Sequence, residues 1–235
     1  MSNTQIVSVE DLVKQQLALQ QEKMAQMQVG ANLISFKGGQ LIVDGVPVPG
    51  GEAEVIVLAQ QGERSYYPGA YDPSKPQVPA CYSFDGEAPH PQAGDPQHTS
   101  CEGCPQNEWG SKGKGKACRE GTRVAILPAS APLDSAPMYQ CSFPITSMAS
   151  VKDFFGRCAA SGKLSGQFIT QLKVVPDARS FFKASLTPKQ QAEGQDLAVL
   201  LGRMETARKQ LVQPYPTFEE RDEPKPEVKT KAKKF

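Results

Sequence analysis

The residues with the most chemistry to offer are the six cysteines, and four of them are spaced as a set. Cys81, Cys101, Cys104 and Cys118 read C-x19-C-x2-C-x13-C. A C-x2-C pair puts two sulfurs on one tight turn, within reach of a single ion, and Gly103 inside that turn can take a positive φ without steric cost. Two more thiolates brought from a distance complete the tetrahedral shell of a structural Zn2+ site. The same cysteines could instead form two disulfides, but MSNTQIVSVEDLVKQQ has neither the basic n-region nor the apolar h-region of a secretory leader. A reducing, cytoplasmic setting is therefore expected. A thioredoxin-like redox pair wants a strand before it and a helix after it, whereas these flanks are rich in Pro, Gly and Ser. His90 or His98 could replace one cysteine as a ligand.

The segment that closes this set is basic. Lys112, Lys114, Lys116, Arg119 and Arg123 stand against the single acid Glu120, beside the chain's one tryptophan, Trp109. Over the 235 residues the formal charge is only +1, so an anionic partner must be read from this local cluster. No P-loop, dinucleotide-binding glycine fingerprint or G-x-S-x-G elbow occurs, and two histidines leave little scope for acid–base catalysis. A zinc ion closed by four sulfurs has no open position for water, so no enzymatic role is expected.

The elements that must position these groups follow from periodicity. Residues 8–28 read as a Gln-rich helix with Ser8 as its cap and Gly30 beyond its end, suited to packing at the domain's edge or to a partner or second copy. Leu33–Phe36, Gln40–Val43 and Glu54–Leu58 are short β-branched runs separated by Gly38-Gly39 and Asp44-Gly45 turns, which argues for antiparallel β organisation. Tyr66, Tyr67 and Tyr71, near Arg64 and Lys75, suit either base stacking or cover for the core edge. Residues 86–97 form a long polar loop that a metal would tie down. Arg123–Leu127 and Met138–Phe143 read as strands, with Cys141 a core thiol. A helix from Ser150, with Asp153 completing a capping box, buries Val151, Phe154, Phe155 and Cys158 on one face. Two strands, 167–175 and 180–186, precede a helix expected to start at Thr187-Pro188 and run to about Val212, packing through Leu197, Leu200, Leu201 and Met204. From Pro214 the composition predicts a disordered charged tail. No apolar run is long enough to span a membrane.

Taken in order, the Gly-Gly and Asp-Gly turns, Tyr66-Tyr67, the Tyr71-Asp-Pro turn, Pro79-Ala-Cys81, Cys101-x-x-Cys104-Pro-x-Asn107-x-Trp109-Gly-Ser111, Gly113-Lys-Gly-Lys-Ala-Cys118 and Arg123–Leu127 resemble bacteriophage single-stranded DNA-binding proteins that carry a zinc-stapled insertion in an OB-like fold. The resemblance covers roughly residues 31–186. The elements give a mainly β fold with flanking helices (α+β): an N-terminal helix (1–30), a domain over 31–212 that holds the insertion 81–118 and a C-terminal helix, and a charged tail (213–235). The resemblance implies that this domain is an OB-like antiparallel barrel with a zinc-stapled insertion. It implies Cys81, Cys101, Cys104 and Cys118 as ligands of structural Zn2+, and sequence-independent binding of single-stranded DNA in phage replication or recombination, in the host cytoplasm. The family's groove residues cannot be placed by motif. Chemistry assigns Tyr66, Tyr67, Trp109, Lys112, Lys114, Lys116, Arg119 and Arg123 to nucleic acid. Replication or recombination proteins are the expected partners of the N-terminal helix or the tail, and a homo-oligomer is compatible with both. Many single-strand binders end in an acidic tail; this chain ends Lys231-Ala-Lys-Lys-Phe235. The competing expectation is a zinc-stabilised protein-interaction adaptor of the replication or transcription machinery.

Overall fold

The computed structural model describes residues 32–69 and 78–215. The expected N-terminal helix, the Tyr71 turn and the tail from residue 216 lie outside the described residues.

One strand organises the rest. β4 (Glu52–Tyr66) is 15 residues long, and Val55, Ile56, Val57, Leu58 and Ala59 are all buried. Such a run, apolar at every position, belongs to a strand covered on both faces. Val55 and Val57 face one core, and Ile56, Leu58 and Ala59 face another. Along one edge β4 pairs antiparallel with β6 (Cys118–Pro128), from Val55↔Pro128 to Tyr66↔Cys118. Its other edge is shared: β8 (Phe168–Asp177) pairs with Glu52–Val55, and β5 (Cys81–Ser83) pairs with Arg64–Tyr66. β7 (Tyr139–Pro144) follows β6, and β1 (Leu33–Lys37), β2 (Gln40–Val43) and β3 (Val46–Pro47) complete that side. β9 (Phe181–Gln191) closes the other side as the partner of β8. The nine strands run β3-β2-β1-β7-β6-β4-β8-β9, with β5 beside β4.

The sheet is mixed, because β1 and β7 are parallel at Leu33↔Gln140 and Ile34↔Cys141, where antiparallel pairing throughout is the sequence expectation. It is also open: β3 and β9 end it without pairing, so the expected barrel is not closed. Ile34 and Leu41 from one side and Ala184 and Leu186 from the other still share one core with α1 (Met148–Ala160), which means the sheet bends around that core. α2 (Leu197–Leu211) covers the opposite face, packing Leu200, Met204, Ala207 and Leu211 on Ile56, Leu58 and Leu127. Among the described residues no helix is long and apolar enough to cross a membrane.

Three local expectations are corrected. Thr187-Pro188 starts no helix; both residues lie in β9, where Thr170↔Pro188 sits beside a bulge. Proline is tolerated there because β9 is an edge strand and needs no donor at that point. The helix starts instead after Asp196, whose carboxylate accepts from Ala198 N (2.8 Å) and Val199 N (3.4 Å). Ser150 does not cap α1. Ser147 and Ser150 accept from Ala184 N and Leu186 N of β9, both at 3.0 Å, so the start of the helix covers an open sheet edge. Leu197 and Leu201, expected on the packing side of α2, are exposed. The Gly38-Gly39 and Asp44-Gly45 turns form as read, with positive φ at all four residues, and Cys141 and Cys158 are buried thiols.

Candidate metal centre and nucleic-acid interface

Pairing brings two of the four cysteines together. Tyr66 at the end of β4 has Cys81 as its partner on β5 and Cys118 as its partner on β6. Cys101 and Cys104 come from the intervening segment, and all four, none of them disulfide-bonded, line one cavity of about 20 Å3. A space of that size takes a single small occupant. Gly103 adopts φ +70° in the C-x2-C turn, as its place predicts. Burial pushes the Cys118 thiol up to about 11, and the charges of Cys101, Cys81 and Cys104 push it the same way. Cys81 is raised too, first by burial and then by Cys101 and Cys104. Thiols that oppose one another's ionisation are a donor set that a cation would stabilise. In residue type the four cysteines suit Zn2+, and they line one small cavity. Among the described residues, however, no group of three or more His, Cys, Asp or Glu side chains stands as an assembled metal site.

The two histidines separate. His98 lines the cysteine cavity and its Nδ1 accepts from Ser100 N at 3.2 Å. His90 is stacked on Tyr82, with ring centroids 5.0 Å apart, and serves as packing.

The segment from 84 to 117 contains no strand, yet it is tied down. His90 N donates to Tyr82 O (2.7 Å), Asp95 N to Ala80 O (2.7 Å) and Cys101 N to Glu87 O (2.8 Å). Asn107 Nδ2 donates to Cys101 O (3.1 Å), and Lys116 Nζ donates to Asn107 Oδ1 (3.2 Å) and lies 3.5 Å from Glu120. Lys116 also sits 5.8 Å over the ring of Trp109, which is 78% exposed. Lys112 and Gly115 close a tight hairpin with paired backbone bonds, and Gly113 at its tip takes φ +60°. Lys112 and Lys114 are exposed on that hairpin and have no ion-pair partner among the described residues.

Tyr66 and Tyr67 part company at the end of β4. Tyr66 lines the cysteine cavity, and Tyr67 lines a groove of about 590 Å3. Arg119, one residue beyond Cys118, lies 5.5 Å over the Tyr67 ring in the same groove. Phe36, Phe143, Phe182 and Tyr215 contribute apolar lining.

Arg123 does not join them. Its guanidinium is 3.0 Å from Glu63, donates to Leu211 O (3.0 Å) and Gln213 O (3.3 Å), and lies between Phe84 (4.4 Å) and Tyr215 (4.5 Å). The two side chains are 3% and 7% exposed, so Arg123 is a buried structural hub with no charge to offer a ligand. Its partners escaped the sequence reading. Tyr215, inside the expected tail, bonds Glu63 through its hydroxyl, and burial and the Glu63 charge drive its pKa well up. An aromatic bracketed by Pro214 and Pro216 directly after a helix was the available signal for such an anchor.

No family model, curated protein sequence or solved structure matches this chain.

Proposed function

We propose that the chain is a sequence-independent single-stranded DNA-binding protein of phage replication or recombination, in which the four cysteines hold Zn2+ as a structural staple. The observation that carries this reading is the Tyr67–Arg119 pair in the groove. A flat ring beside a cation matches an unpaired base beside a phosphate, and a stack of this kind is worth about 1–3 kcal/mol per base. Both residues directly follow the Tyr66–Cys118 pair, so a metal at the cysteines would fix the strand ends that present them. The same staple would hold Lys112 and Lys114 out on their hairpin as phosphate contacts. On this reading the open, bent sheet takes the place of the OB-like barrel.

The test is fluorescence anisotropy with a labelled oligo-dT and unlabelled duplex as competitor. Single strand should be preferred, and affinity should fall steeply with salt because phosphate contacts release counterions. Tyr67→Ala and Arg119→Glu should each weaken binding, and Lys112→Glu with Lys114→Glu should flatten the salt slope. Absence of binding at low salt, or equal preference for duplex, would sink the assignment.

The exposure of Trp109 favours a second reading, a zinc-stabilised adaptor whose protein partner buries that ring. It gains if Trp109→Ala abolishes capture of a replication protein while oligonucleotide affinity is negligible.

A further inference from the structure

The Tyr67 ring stands where the β ladder has ended. Tyr66↔Cys118 is the last register pair of β4, and Tyr67 is followed by Pro68 and Gly69. Arg119 lies over one face of the ring at 5.5 Å. A side chain left loose before binding must be frozen by the ligand, at a cost in affinity.

The end of another element reaches it. Tyr215, four residues beyond Leu211 at the end of α2, lines the same groove. Its ring is gripped from two sides: Tyr82 meets it edge-on with centroids 5.0 Å apart, and Arg123 lies over it at 4.5 Å. Arg123 also holds the backbone that leads to it, donating to Leu211 O (3.0 Å) and Gln213 O (3.3 Å). The Tyr215 hydroxyl donates to Glu63. Tyr67 joins this cluster. Burial and the Glu63 charge raise its phenol, while a hydrogen bond with Tyr215 works the other way. A hydroxyl has one proton to give, and that of Tyr215 goes to Glu63, so its oxygen accepts from Tyr67.

Packing does not call for that oxygen. A phenylalanine would fill the same place between Tyr82 and Arg123, and Glu63 already has Arg123 Nε and Nη2 at 3.0 Å each. Burying a hydroxyl is costly unless it is bonded. What this one adds is a fixed acceptor at the groove wall, where Tyr67 is.

Resting on the single-strand reading above, we infer that Tyr215 is a positioning residue for base stacking: through its hydroxyl, the end of α2 holds the Tyr67 ring in the pose that a base meets.

The test is a double-mutant cycle on the full chain, read by oligo-dT anisotropy. Tyr215→Phe keeps the ring and removes the oxygen; it should weaken binding about threefold to tenfold, the size of one hydrogen bond. Tyr67→Phe keeps the stacking surface and removes the other half of the contact. It should lose the same factor, and the two changes together should lose no more than either alone. In a Tyr67→Ala background, Tyr215→Phe should have no effect on affinity. A merely structural Tyr215 would lower affinity by one factor in every background and leave Tyr67→Phe at the parental value. Either of those results, or parental affinity in Tyr215→Phe, overturns the inference, and Tyr67→Phe alone decides it should Tyr215→Phe fail to fold. A loss in Tyr67→Ala with none in either Phe variant keeps the groove reading and removes only this residue from it. If the unaltered protein binds no oligonucleotide, the single-strand reading falls and takes the positioning role with it.

Discussion

The bent sheet and the cysteine-bearing segment between β5 and β6 are held together by different physics. Neither apolar core contains a residue from 81 to 118. The sheet is secured by burial on both faces of β4, with α1 behind one face and α2 behind the other. The segment buries little beyond Phe84, Cys101, Cys104 and Ala117, and relies on backbone bonds to β5, on Asn107 and Lys116, and on the thiols. A protein built this way can lose the order of its cysteine-bearing segment without losing its fold. The contrast also separates two arginines of one strand: Arg119, beside the segment, keeps its charge in a groove, while Arg123, four residues into the sheet, is consumed by Glu63, two carbonyls and two rings.

The largest effect expected is at the joint between the regions. Arg123→Ala leaves Glu63 buried without its cation, which costs about 3–5 kcal/mol for a pair this enclosed. It also frees Phe84 and Tyr215, so both regions should loosen. Urea denaturation should show the full loss, and Arg123→Met with Glu63→Leu should recover much of it. A loss below about 1 kcal/mol, the range of an exposed pair, would mean the hub is unimportant. Next comes a change confined to the sheet. Leu200→Ala opens a void under α2 and should cost about 2–5 kcal/mol, with m unchanged. Trp109, outside both cores, should report the same single transition. An earlier transition seen only at Trp109 would show that the segment melts separately, which sharpens the comparison.

Much of this was legible in the sequence where one local rule governs. Gln40–Val43 and its flanking turns needed only alternation and glycine, and the C-x2-C turn needed only Gly103. Failures came where a distant partner decides. Pro188 reads as a helix start until β8 supplies an edge on which a missing donor is harmless. Ser150 reads as a cap until β9 offers it Leu186 N. Arg123 reads as one of a run of cations, because nothing in the sequence links it to Glu63, sixty residues earlier in the chain. Tyr67 and Arg119 were both named, but their pairing depends on the β4–β6 register. The strand reading over 180–186 holds, but the φ of +67° at Phe181 cannot be seen from its type.

A smaller effect should separate the regions directly. Chelation, or Cys104→Ser, should shift Trp109 emission and weaken oligo-dT binding by ~tenfold, ~1.4 kcal/mol. Far-UV circular dichroism should barely change, since the sheet's cores contain none of these residues. Protein that carries no zinc as purified, or emission indifferent to chelator, would remove the metal from the account and leave the backbone bonds to hold the segment.

The smallest effect tests the contrast from the other side. Among the described residues Asp196 supplies the side-chain acceptor to the first turn of α2, bonding Ala198 N and Val199 N. Asp196→Ala leaves those donors to water and should cost about 1 kcal/mol. Because α2 packs on the face of the sheet away from the bend, this loss should appear in the melting temperature and leave oligo-dT affinity and its salt slope where they were. If affinity falls with it, the two regions are coupled through β4, whose Ile56 and Leu58 support α2 while its last residues carry Tyr66 and the approach to Tyr67. The sheet would then be part of the recognition device and not merely its mount.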